Sequence, residues 1–148
     1  MFRTLICSML ALLLGGCALA PLVGPIFAIG VAWANGEAHK YYHTDQQNIA
    51  NAVKNAVNDL EFIVVEESVS GNTIHMKVDD RSESQQSTNR FKIRVIRVQH
   101  NVTKLSIRIN TMGDKPYAEL IYRKVDKYPG VKCFKTVKEL EKAYYAED

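Results

Sequence analysis

Charge is missing from the front of this chain. Between Arg3 and Glu37 no side chain is charged, whereas from Glu37 onward charged and apolar residues alternate as in a folded domain. Setting the uncharged start aside leaves roughly 110 residues, enough for one domain with a modest core. Cysteine is scarce too, with three in all: Cys7, Cys17 and Cys133. Cys7 falls within the leader, and once Cys17 is modified Cys133 has no partner in the chain, which excludes an intramolecular disulfide framework. Cys133 is then either a buried small hydrophobe or an odd thiol able to pair between chains, and burial is the expectation. Net charge is slight at +3, or +2 once Arg3 leaves with the leader. That is too little to argue for nucleic acid, and no nucleic-acid partner is expected. Composition is otherwise ordinary, which excludes wholesale disorder.

What is present at the start has the layout of an export signal. Met1-Phe2-Arg3 is a short positive opening, and Leu5 to Leu14 is an apolar run interrupted only by Ser8. Leu14-Gly15-Gly16-Cys17 then resembles the lipobox of bacterial lipoproteins, in which small residues precede a cysteine that is acylated before cleavage. The resemblance implies a signal peptide over residues 1–16 and Cys17 as a lipidated (palmitate-bearing) N-terminus, with more acyl chains than stable anchoring requires. Ala18, rather than aspartate, follows the cysteine, which points to the outer membrane, facing the periplasm. The rival reading is an uncleaved transmembrane helix through Ala18–Ala34. Pro21, Gly24, Pro25 and Gly30 count against it. Residues 17–35 are read instead as a lipidated cysteine and apolar tether, with Trp33 at the membrane interface.

Residues 36–130 carry the domain. Gly36 to Tyr42 reads as a first strand, and Thr44 to Gln47 as a capping box. Ile49, Ala52, Val53, Ala56, Val57 and Leu60 then recur at helical spacing. Four strands follow. Phe62 to Val69 is β-branched, and Thr73 to Asp79 sends Ile74, Met76 and Val78 inward. Asp80 to Thr88 is a polar hairpin loop, after which Phe91, Ile93 and Val95, and then Leu105, Ile107 and Ile109, point inward. Asp114 caps a second helix with an apolar face of Tyr117, Leu120, Ile121, Val125 and Tyr128. The expected fold is α+β: a two-layer sandwich of about five antiparallel strands in the order β-α-β-β-β-β-α, with two helices on one face. Thr136 to Glu139 looks like another capping box, so residues 131–148 form a C-terminal extension with a short helix.

Several segments are similar to a family of small bacterial lipoproteins known as domain of unknown function 3568. They are Gly36-Glu37, the helix end Ala56-Val57-Asn58-Asp59-Leu60, and Asn101 to Ile109 running into Met112-Gly113-Asp114. The resemblance spans Gly36 to about Tyr128 and implies an exported lipoprotein with an α+β domain. It brings no catalytic residues. The polar loop from Asp80 to Thr88 and the extension beyond Tyr128 depart from it.

Few residues suggest chemistry. His39 and His43 lie four apart without a third ligand at metal spacing, and two polar rim residues are the simpler reading. His75 and His100 have no nucleophile and orienting acid beside them. Asp79, Asp80 and Glu83 lack the glycine and terminal glutamate of a calcium loop. No catalytic residue, metal or cofactor is therefore expected, and the domain is read as non-enzymatic. The feature that stands out is basic: Lys77, Arg90, Lys92, Arg94, Lys104 and Arg108 alternate with core positions on three strands and share one sheet face. That face is either a solubilising surface or a docking face for an anionic lipid, a glycan or an acidic protein. Ile96 and Val98 break its phase, so a bulge re-aims them or something covers them. The cover is either the tail helix, with Val137, Leu140 and Tyr144 on one side, or a partner protein. The expectation is a lipid-anchored interaction domain of the bacterial envelope acting as an accessory or assembly factor. The alternative is a periplasmic module that binds an anionic lipid or glycan through the basic face.

Overall fold

The computed structural model describes residues 29–80, 91–109 and 114–146. The leader, Cys17, most of the tether, Arg90 and nearly all of the polar loop lie outside the described residues.

Six strands form one antiparallel sheet, where about five were expected. They are β1 (Ala32–Ala34), β2 (Glu37–Tyr42), β3 (Phe62–Ser70), β4 (Thr73–Asp80), β5 (Phe91–Gln99) and β6 (Val102–Ile109), in the spatial order β1-β2-β6-β5-β4-β3. The additional strand is β1, within the stretch read as tether. Asn35 and Gly36 have φ of 53° and 74°, so they make the two-residue turn with both centres left-handed that fits the twist of a hairpin. This Asn-Gly pair was the local signal for β1, overlooked because no charge alternates around it. Trp33 accordingly packs against the core.

The described helices are α1 (Gln46–Asp59), α2 (Lys115–Asp126) and α3 (Val137–Tyr144). The α1 cap lies one residue later than expected: the Asp45 carboxylate accepts from the Asn48 backbone N–H at 3.0 Å. Thr44 is buried, and its hydroxyl accepts the Lys132 N–H at 2.8 Å, tying the tail to the strand end. In α2 the cap is Asp114 as expected, but the buried face is Ala118, Ile121, Tyr122 and Val125, with Tyr117 exposed. The hydroxyl explains the rotation. Tyr122 is buried because its O–H donates to the backbone carbonyls of Ala38 and Leu105, both at 2.9 Å.

The main core lies between α1 and α2 and one sheet face, which supplies Ile74, Met76, Val78, Phe91, Ile93, Val95, Leu105, Ile107 and Ile109. A smaller cluster on the opposite face joins Tyr41, Val98 and Val102 to Phe134, Leu140 and Tyr144. The tail thus adds a partial third layer to the expected two. Val98 is covered by α3, whereas Ile96 keeps its place opposite Lys104 and lies outside that cluster. The register shift falls beyond Ile96, between Arg97 and Gln99, so the cover explains Val98 and the bulge does not re-aim Ile96.

A second polar contact fixes α2. Asp126, in its last turn, accepts from Lys40 through both carboxylate oxygens at 2.7 Å and from the Tyr42 hydroxyl at 2.8 Å. Lys40 is only 7 % exposed, so removing Asp126 would leave a buried ammonium without its ion-pair partner. Asp126→Ala is expected to cost about 2–3 kcal/mol, and Lys40→Met, which removes the buried charge itself, less. Tyr122→Phe is expected to cost about 1–2 kcal/mol by removing the one O–H that the Ala38 and Leu105 carbonyls share. Urea denaturation of the three variants measures the ranking; Lys40→Met costing more than Asp126→Ala would contradict it.

Candidate functional site

Among the described residues, the face opposite α1 and α2 is covered at one end by α3 and by no other helix. Strand register arranges its side chains in rows that run across the strands. In the first row Lys92 stands opposite Lys77 on β4 and opposite Arg108 on β6. In the second, Arg94 stands opposite His75 and Ser106, and Ser106 stands opposite His39 on β2. In the third, Ile96 faces Lys104, which faces Tyr41. Five of the six expected basic residues are thereby on one surface, and Arg90 lies outside the described residues.

The cations are not equivalent. Glu66 takes Lys77, and Glu37 takes Arg94 at 2.6 Å while accepting the Ser106 hydroxyl, also at 2.6 Å. Lys104 lies 5.7 Å from the centre of the Tyr41 ring, and Arg108 donates to the Asn35 carbonyl at 3.3 Å. Lys92, flanked by two cations, has no carboxylate partner among the described residues. Like charges directly opposite on neighbouring strands destabilise a sheet. Glu37 was missed as a site residue because its role depends on the β2–β6 pairing. Burial pushes its carboxyl up, but hydrogen bonds from Ser106 and Arg94 and the charges of Arg94 and Arg108 outweigh that and hold it below 4.5. Desolvation, followed by the Lys104 charge, pushes the His39 imidazole below 6.5, so it is biased toward the neutral form.

Two hollows share the walls Lys77 and Lys92. One, of about 320 Å³, runs past Glu37, His75, Arg94 and Arg108; the other, of about 430 Å³, runs past Val65, Glu66 and Asp79 toward the β3 edge. Together they make a shallow groove along the first row.

The remaining candidates disperse. His39 meets Tyr41 edge-on at 6.4 Å, whereas His43 stacks on Phe134 at 5.1 Å, so the two share no ligand position. His100 is exposed in its turn. Among the described residues no three His, Cys, Asp or Glu side chains converge as metal ligands, and no helix is long and apolar enough to cross a membrane. Cys133 is exposed rather than buried. Its chain position is set by a bridge to Tyr42, which leaves it outside both apolar clusters. Desolvation of the sulfur and the Asp126 charge push its thiol up, which favours the protonated, poorly nucleophilic form.

Lys92→Gln is expected to stabilise the fold by about 0.5 kcal/mol, a gain that shrinks as salt is raised. A destabilised variant would mean that Lys92 is held by contacts rather than strained by its neighbours. For Glu37 the folded value is depressed, so its contribution is complete above pH 4.5 and disappears as pH falls through the lower folded value. Glu37→Gln should therefore be less stable than the parent at neutral pH and converge with it in acid, as read by denaturation across pH.

No curated protein matches the chain. The family model described as protein of unknown function DUF3568 matches residues 1–128, which takes in the sheet, α1 and α2 and stops short of α3. The chain belongs to that family.

Proposed function

We propose that this chain is an exported envelope lipoprotein, acylated at Cys17 and held at the outer membrane facing the periplasm, whose domain is a non-catalytic module for an anionic partner. The observation that carries the binding role is the Lys77–Lys92–Arg108 row, in which the central cation has a cation opposite it on each side. Solubility alone does not call for that arrangement, since alternating signs would solubilise the face equally and favour the fold. An anionic partner seated in the groove relieves the repulsion. Anchoring and binding support each other: eleven residues separate Cys17 from Ile29, where the described chain begins. Fully extended, they reach about 40 Å, so the domain stays close to the membrane and samples its partners at high effective concentration. Bringing such a partner to the membrane is the work of an accessory or assembly factor.

Two measurements test the proposal. Metabolic labelling with a palmitate analogue should mark the parent and leave Cys17→Ser unlabelled; labelling of Cys17→Ser would remove the anchor. A photoreactive residue at Ile96, on the floor beside the second row, should crosslink an acidic partner in living cells, with adducts that diminish in Lys92→Gln. Adducts unchanged by Lys92→Gln would show that the cation row does not hold the partner.

A further inference from the structure

We propose that the anionic partner is an acidic glycan, a chain of sugars bearing carboxylate or phosphate groups, lying across the strands in the groove of the first row. The inference rests on the anionic-partner reading above and adds the chemistry of the ligand.

Extent indicates a linear ligand. Lys77, Lys92 and Arg108 stand on three neighbouring strands, about 5 Å apart across each pair. The two hollows continue each other through Lys77 and Lys92. A groove with repeated cations fits an extended chain better than one compact ion.

Direction counts against a peptide that adds to the sheet as a strand. The groove runs across the strands, and the backbone groups of β4, β5 and β6 beneath it are engaged with their neighbours. A peptide that adds as a strand needs a sheet edge. The edge at β3 is guarded by a bulge at Val64 and Glu66 and by the ion pairs of Glu66 with Lys77 and Glu67 with Lys54.

Sign counts against a membrane surface. The groove sets Glu37 and Glu66 among its cations. Glu37 and Glu66 neutralise Arg94 and Lys77, so a uniform sheet of headgroup phosphates or a polyphosphate chain meets alternating signs here. The carboxylates nevertheless keep lone pairs that accept from hydroxyls. An acidic sugar presents both kinds of group: acids for Lys92 and Arg108, and hydroxyls for the carboxylates.

The experiment uses the full lipidated chain in phosphatidylcholine vesicles, with a short oligogalacturonate as probe. Its comparators are a neutral galactose oligomer of the same length and a polyphosphate of the same net charge. The expected result is oligogalacturonate bound about tenfold more tightly than either comparator, with a loss of about fivefold in Lys92→Gln. Polyphosphate bound as tightly as the acidic sugar would overturn the glycan while leaving an anion-binding face in place. Displacement of the oligomer when phosphatidylglycerol is added to the vesicle would overturn it in favour of the membrane surface. Absence of binding by every anion, with the parent folded, would overturn both the glycan and the anionic-partner reading.

Discussion

Side-chain alternation gives every strand two faces, and the two longer described helices bury one of them. α1 and α2 cover the face of Met76, Ile93, Val95, Leu105 and Ile107. The pleat that sends those residues inward sends Lys77, Lys92, Arg94 and Arg108 to the other side, where they share a surface. α3 is short and covers only the end near Val98 and Val102. Because α3 lies beyond the residues matched by the family, the wall at that end is built by a segment outside the family match.

The register of that open face depends on how α2 is held. An aspartate in the last turn of a helix opposes the macrodipole. Asp126 sits there nonetheless, taking the Lys40 ammonium and the Tyr42 hydroxyl from β2. One turn earlier, Tyr122 donates to carbonyls of β2 and β6 together. These contacts clamp α2 across the seam between the two strands. A slip of one residue at that seam would turn each β2 side chain to the opposite face. Glu37 would then leave Ser106 and Arg94, and Lys40 would leave Asp126. The buried clamp and the exposed network therefore rest on one register, seen from its two sides.

Much of this was legible in the residues. The stripe of Ile49, Val53, Ala56 and Val57 and the alternation in β4, β5 and β6 each satisfy a single period, and each is buried as that period requires. Misreadings occurred where a residue answers to something distant. Tyr122 was left off the buried face of α2 because a tyrosine goes inward only when its hydroxyl finds partners, and these belong to two strands far along the chain. Thr44 looked like a cap because local spacing allowed it, whereas the Lys132 backbone claims its hydroxyl and Asp45 caps instead. The basic face was readable as a set, since alternation alone places it. Its division into paired and unpaired cations was not, because Glu37 and Glu66 reach Arg94 and Lys77 only through strand pairing.

That division is what the proposed binding role rests on. A face that needed only to stay wet would gain by a carboxylate at the centre of the row, where it would meet Lys77 and Arg108 together. The chain places carboxylates on this face, so they are not lacking: Glu66 goes to the cation nearest the edge, and Glu37 goes to Arg94 in the neighbouring row. Both lie beside the groove, and the middle of the row is left positive. A cost in sheet stability that a single substitution could remove, at a position lining a hollow, is the pattern of a residue whose environment is completed from outside the chain. The same pattern limits the partner. In the proposed complex the partner brings negative charge to Lys92 while tolerating the carboxylates on either side, so charge alone does not describe it.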